Sequence, residues 1–327
     1  MTALPTRQLG RTGMQLSRVG LGAWAIGGAG WEHGWGPQDD ADSIATIVHS
    51  VECGVNWIDT APIYGHGHSE EVVGRALAAL PPADRPFVFT KCGLWWDDSD
   101  PMRPPARDTS RIRRELEHTL RRLGVERVDL YQVHWPPFDA TVEDYWPTLL
   151  DLRAAGKVRA VGASNFDVVQ LSAAEALGHV DSLQPPLSML RPEALETEIP
   201  WCAANGTGVI VYSPLESGLL SGAFDAARAA SLRASDWRGQ APAFSGAALR
   251  RNLALVDELR PIAAGHGVGA AAVAIAWTLA QPGVTGAIVG ARRPAQVDGW
   301  LPAAGLSLSD VDLAVIDLAV AERRTPE

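Results

Sequence analysis

Four side chains of this 327-residue chain, Asp59, Tyr64, Lys91 and His134, have the types and spacing for proton chemistry at a carbonyl group. Reducing a carbonyl needs a proton on its oxygen as hydride reaches its carbon. Tyr64 can supply that proton, but a free phenol, with a pKa of about 10, holds it firmly. The Lys91 ammonium is expected to stabilise the phenolate and lower that value. Asp59 would balance and orient the lysine, which otherwise would be an unpaired charge in the interior. His134 can donate a hydrogen bond to the oxygen as it gains negative charge. Taken singly, each has a plainer use: a strand-end aspartate caps, a loop tyrosine packs, a lone histidine is structural. Their shared position gives them weight, because each ends or closely follows a short apolar run.

Those runs, rich in Val, Ile and Leu, fall at 19–22, 57–58, 87–91, 128–134, 158–162, 183–184, 209–212 and 286–290. Between them lie amphipathic stretches that predict helices at 43–53, 69–80, 109–123, 144–155, 168–177, 196–205 and 270–280. Near-continuous apolar strands separated by such helices make a parallel sheet covered on its outer face. Eight units without a low-complexity linker predict one domain, residues 1–327, folded as an α/β (β/α)8 TIM barrel. Active sites of such barrels form where the strands end. Residues 59, 91 and 134 end strands two, three and four, and Tyr64 follows Asp59 by five positions.

Local punctuation fits this reading. Ser69, Glu70 and Glu71 open a helix with acidic residues, Thr109 is an expected N-cap, and Gly124 an expected stop. The span 217–245, rich in Gly, Ser and Ala, is too long for an ordinary connection and is expected to be a lid after strand seven. A final helix over 309–322 is expected as an extra C-terminal element.

Composition excludes several classes. A net charge of −10 argues against a nucleic-acid partner. Cys53, Cys92 and Cys202 are odd in number and form no CxxC pair, so neither a zinc site nor a redox pair is indicated. The opening residues lack the apolar stretch of a signal peptide, and the longest apolar run, near 270–280, is too short to span a bilayer. A cytoplasmic monomer acting on a small molecule is expected. His66 and His68 have no third or fourth ligand in a recognisable pattern, and reduction by hydride needs no metal; none is expected in this chain, and the pair should rim the pocket or cap the next helix.

Several segments together resemble one family. They are Asn56 to Glu71 (Asn-Trp-Ile-Asp-Thr-Ala-Pro-Ile-Tyr-Gly-His-Gly-His-Ser-Glu-Glu), Thr90-Lys91, Leu130 to Pro136, Gly162-Ala-Ser-Asn-Phe166 and Tyr212-Ser-Pro-Leu215. In order and spacing these are similar to the aldo-keto reductases. The run Ile288 to Gln296 is similar to the cofactor segment of that family's bacterial general-stress and inositol-cluster branch. The resemblance implies Tyr64 as acid/base, assisted by Lys91, Asp59 and His134. It also implies a nicotinamide cofactor held without a Rossmann fingerprint. On this pattern Ser164, Asn165 and Gln184 would bind the carboxamide, and Tyr212 would stack on the nicotinamide. Ser213, Pro214, Leu215 and Gly218 would border the pyrophosphate; Gly290, Ala291, Arg292, Arg293 and Gln296 would wrap the adenosine end. The two arginines suit a ribose 2′-phosphate, so NADP(H) is expected, with NAD(H) the alternative. Gly299 and Trp300 stand where many members have Glu-Asn, so the adenine contacts are expected to differ.

Twelve tryptophans accompany only four tyrosines. Trp24, Trp31, Trp35, Trp95, Trp96, Trp135 and Trp237 all fall in loops expected at the catalytic end. They predict an aromatic-walled pocket, with Trp24, Trp95 and Trp135 against the substrate, suited to sugars or bulky apolar carbonyls. The main expectation is an aldehyde or ketone reductase, working in reverse on sugars or polyols. The other reading is a cofactor-binding regulatory subunit of the same fold with little turnover.

Overall fold

A computed structural model describes residues 4–233 and 236–324. Eight parallel strands form a closed barrel: β1 (Val19–Gly22), β2 (Trp57–Asp59), β3 (Phe87–Cys92), β4 (Val128–Val133), β5 (Val158–Ser164), β6 (Ser182–Gln184), β7 (Gly208–Val211) and β8 (Gly286–Gly290). β8 pairs with β1, so no barrel edge is left open. Around it lie α1 (Asp40–Glu52), α2 (His68–Ala79), α3 (Ile112–Leu123), α4 (Val142–Ala154), α5 (Val168–Leu177) and α6 (Glu198–Asn205). The later part of the chain adds α7 (Ala226–Ala230), α8 (Gly246–His266), α9 (Ala270–Ala280), α10 (Pro294–Trp300) and α11 (Asp310–Arg324). The TIM barrel and the extra C-terminal helix are therefore as the sequence predicts.

Alternation along the strands decides what enters the barrel. Trp57, Phe89, Leu130 and Ile210 form one buried cluster with Leu9, Met14 and Leu16 of the N-terminal turn. That turn joins the antiparallel strands Thr6–Gln8 and Gln15–Ser17, a hairpin that the sequence reading missed. Trp57 fills the space beside Gly20, where a Cβ would lie 2.2 Å from the indole. Two residues further along, β2, β3 and β4 each present a polar side chain: Asp59 after Trp57, Lys91 after Phe89, Gln132 after Leu130. The intervening Ile58 packs outward with Val72, Val73 and Val88.

Some local expectations need correction. α3 begins at Ile112 with Arg111 in the cap position, not at Thr109, while Gly124 does end it with φ +66. The span 217–245 is not one structureless lid. It contains α7 and 3-10 turns at Glu216–Ser221, Trp237–Gln240 and Pro242–Phe244; positions 234 and 235 lie outside the described residues. α8, α10 and a two-stranded hairpin pairing Leu94–Trp95 with Ala106–Arg107 are further elements the sequence reading missed. Among the described residues no single helix is long and apolar enough to cross a membrane. The apolar α9 is buried against α8.

Candidate active site

At the C-terminal ends of the strands the polar layer closes into one network. Lys91 Nζ lies 2.5 Å from Asp59 Oδ1 and donates to Thr60 O at 3.1 Å and to Tyr64 Oη at 3.2 Å. Lys91 is fully buried and Asp59 nearly so. The other oxygen of Asp59 accepts from Gln184 Nε2 at 2.8 Å and from Gln132 Nε2 at 3.4 Å. The His134 ring meets that of Tyr64 edge-on, centroids 5.8 Å apart. All four residues expected to do chemistry therefore share one bowl.

Electrostatics depart from the sequence reading at one point. Burial pushes the Tyr64 phenol above its ordinary value, and the pull of Lys91 does not offset it, because Asp59 beside the lysine cancels much of its charge. The expected lowering is thus corrected to a rise. Lys91 is itself raised: burial alone would lower it, but Asp59 and Tyr64 together outweigh that cost. Burial, and then Lys91, hold His134 well below its usual range, so its imidazole is neutral at physiological pH. A neutral ring can donate one N–H while adding no charge.

The loop carrying Tyr64 is set by contact between two glycines. A Cβ on Gly65, at φ +63, would fall 2.2 Å from Gly27 O, so the loops after β1 and β2 touch backbone to backbone. Tyr64 N donates to Ala61 O at 3.1 Å, and Ser69 N to Tyr64 O at 3.1 Å, tying the loop to the start of α2.

Above the network lies a cavity of about 990 Å³, lined by Trp24, Tyr64, His134, Trp135, Tyr212 and Arg292 among others. Ser164, Asn165, Gln184, Ser213, Pro214, Leu215, Gly218, Gly290, Ala291 and Gln296 also border it. Asn165, left-handed at φ 62, is held by its Nδ2 to His134 O at 2.9 Å and by Tyr212 Oη donating to its Oδ1 at 2.8 Å. Ser164 Oγ donates to Gln184 O at 2.8 Å. After β7 the backbone is left-handed at Ser213, Glu216, Ser217 and Gly218. Strain of this kind costs about 1–3 kcal/mol per residue and gathers where ligands are held. Here it is braced by Ser188 Oγ donating to Glu216 Oε1 at 2.9 Å and by Arg238 Nη1 donating to Ser217 O at 3.1 Å.

Three expected residues, Trp95, Trp96 and Arg293, do not face the cavity. Trp95 stacks on Trp96, centroids 5.6 Å apart, with Arg111 and Arg114 over its ring, because the hairpin it belongs to turns it outward. Arg293 reaches Asp42 at 3.5 Å and its side chain is 76% exposed. Arg292 does line the cavity, but its guanidinium already donates to Gln38 Oε1 at 2.6 Å and to Pro37 O. His66 stacks on Trp96 and His68 pairs with Asp40 at 2.8 Å, so one rims the loop and the other opens α2. The sequence reading missed Glu32, Arg191, Arg228 and Arg238, all at the cavity wall. Nothing in their local pattern separates them from surface charges.

The lining suits a large polar ligand. The Nε1 atoms of Trp35, Trp237 and Trp300 are buried without a hydrogen-bond partner, and buried Glu32 Oε2 has only His33 Nε2 at 3.4 Å. Such groups are costly unless a ligand satisfies them. With Arg107, Arg191, Arg228, Arg238 and Arg292 in its lining, the cavity suits an elongated anion such as a dinucleotide.

Residues 18–321 match the model of the aldo/keto reductase family. The chain belongs to this family. This aldo/keto reductase is 35% identical over 302 residues to aldo-keto reductase YhdN of Bacillus subtilis, spanning 92% of this chain and 89% of the relative. It is 35% identical over 323 residues to the NADH-specific methylglyoxal reductase of Escherichia coli, spanning 94% and 96%. Among solved structures, the glycerol dehydrogenase of Gluconobacter oxydans superposes with a TM-score of 0.90 at 37% identity, covering 99% of this chain and 97% of that one.

Proposed function

We propose that this reductase is NADP(H)-dependent and converts aldehydes or ketones to alcohols, or sugars and polyols in reverse, with Tyr64 as the general acid/base. The observation that carries the reading is Tyr64 Oη 3.2 Å from a buried lysine at the cavity floor. A bound nicotinamide would supply or accept the hydride. Ser164, Asn165 and Tyr212 would hold its ring end; the arginines and the strained turn after β7 would hold its phosphates. Tyr64 delivers its proton to the substrate oxygen, and Lys91 donates to Tyr64 Oη to steady the oxygen left behind. Neutral His134 donates to the same substrate oxygen and orients it. Trp24, Trp31 and Trp135 exclude water. We assign Arg292, whose guanidinium is held by Gln38 and Pro37, to a 2′-phosphate, while the Escherichia coli relative's name points to NADH.

Three free thiols fit a reducing compartment, and we place the protein in the cytoplasm as a monomer. The deciding experiment is Tyr64→Phe. Turnover should fall by about 10²–10⁴-fold, the usual weight of a general acid, with dinucleotide affinity unchanged. Retained turnover rejects the assignment of Tyr64. Parallel assays with NADPH and NADH, repeated on Arg292→Ala, read the cofactor choice: the NADPH preference should shrink in the variant.

A further inference from the structure

Outside the bowl, where the end of α1 meets α10, three side chains of different chemistry converge. His49 lies in the last turn of α1 and Cys53 caps it, so a spacing of four puts both on one helix face. Asp298 comes from α10, 249 residues after His49 in the chain. His49 Nε2 is 2.7 Å from Asp298 Oδ1 and 3.7 Å from Cys53 Sγ. All three ligating atoms lie within 4.8 Å of one another, the single such group of three among the described residues.

The N···S separation is that of a coordination shell, while the N···O separation is that of an ion pair. With Zn–N near 2.0 Å and Zn–S near 2.3 Å, the tetrahedral N···S edge is about 3.5 Å, close to the distance seen. The N···O edge would have to open by roughly 0.6–0.7 Å, within reach of one side-chain rotation. An ion pair alone needs only the histidine and the aspartate. His68–Asp40 and His266–Asp312 are such pairs, and neither has a thiol beside it. At this third pair a thiol points at the same nitrogen, and Glu52 adds further negative charge near it. His49 is 31% and Asp298 60% exposed, which leaves a path in for an ion and room for a water ligand.

We propose that His49, Cys53 and Asp298 bind a soft divalent cation of the zinc class, with the fourth position open to solvent. The mixed nitrogen, sulfur and oxygen set excludes magnesium and calcium, which take oxygen ligands. The ion would join α1 to α10, whose other end is already tied by Arg293 to Asp42. α10 also carries Gln296, which accepts from Arg292 N at 2.7 Å, so the ion would stiffen the wall at the adenosine end. The site does not depend on the reductase reading.

The test is a titration of the metal-free full-length protein with Co²⁺. One equivalent should bring up a thiolate-to-cobalt charge-transfer band that Zn²⁺ abolishes by competition. Cys92 and Cys202 are 1% and 0% exposed, so the band reports Cys53. Cys53→Ser should remove the band and the thermal stabilisation by Zn²⁺, with the circular dichroism of the fold unchanged. Asp298→Asn should keep the band but weaken Zn²⁺ by at least tenfold, the least that losing even an outer-sphere partner costs. No band under excess Co²⁺, a band that survives Cys53→Ser, or undiminished affinity in Asp298→Asn would each overturn the proposal.

Discussion

Lys91 can stay charged in the barrel only because Asp59 is beside it, and that pairing governs what Tyr64 feels. A lone ammonium would draw the phenol's proton off; an ammonium already paired with a carboxylate exerts far less pull, and burial prevails. Tyr64 therefore keeps its proton through the neutral range. Carbonyl reduction, which needs the protonated phenol, should hold steady from neutral pH and fall only above about pH 10, the free-phenol value. Alcohol oxidation needs the proton removed and should climb over the same alkaline range. Profiles of kcat/KM in both directions check this, and an oxidation optimum near neutrality would contradict it. Because burial and then Lys91 hold His134 well below its usual range, no step from it is expected near neutral pH. At this scale the site was largely legible: strand-end position and residue type identified Asp59, Tyr64, Lys91 and His134, but not Gln132, which also donates to Asp59. The sign of the Tyr64 shift was not, since it depends first on how deeply the phenol is buried and then on Lys91 and Asp59, which no spacing encodes.

Elements place these residues through a few tight contacts. The Gly27–Gly65 approach sets the height of Tyr64 above Lys91, and no side chain can be inserted there without parting the loops. Gly65→Ala should lower kcat by about 10²-fold, the cost of a misplacement near 1 Å, with a smaller effect on dinucleotide affinity. Steady-state kinetics beside a binding titration measure that split. Strands and most helices were readable because their apolar periods differ. α8 was missed because Gly246, Pro261 and Gly265 interrupt its pattern; packing against α9 and α11 holds it helical in spite of them. Trp95 was misplaced because a two-stranded hairpin, not residue type, decides which way that indole turns.

For the whole molecule, the outer surface of β3 is anchored by a buried acidic group. Glu70 accepts from Thr90 Oγ1 at 2.7 Å and from Arg122 Nε at 2.7 Å, so its charge is answered. Glu115 is less well served: Gly93 N donates to one oxygen at 3.0 Å, while the other has no partner. Burial raises its pKa from 4.5 to about 8. The folded state then binds a proton that the unfolded chain gives up, so stability falls as pH rises from about 4.5 to 8 and levels off beyond. Glu115→Gln removes the titration. Its Tm should match the parent near pH 4 and exceed it by several degrees at pH 9, a difference that calorimetry across pH would reveal. Equal melting curves at both pH values would show that this carboxyl does not shape acid–base stability.

The indoles around the cavity carry one more consequence. Trp24 lies with Trp31, Trp35 and Trp237 at centroid separations of 5.2–6.4 Å, beside the place assigned to the nicotinamide. Reduced nicotinamide absorbs where indole emits, so cofactor arrival should quench the protein's own fluorescence through energy transfer. The chain thus carries a built-in optical gauge of cofactor occupancy, readable without substrate, label or turnover.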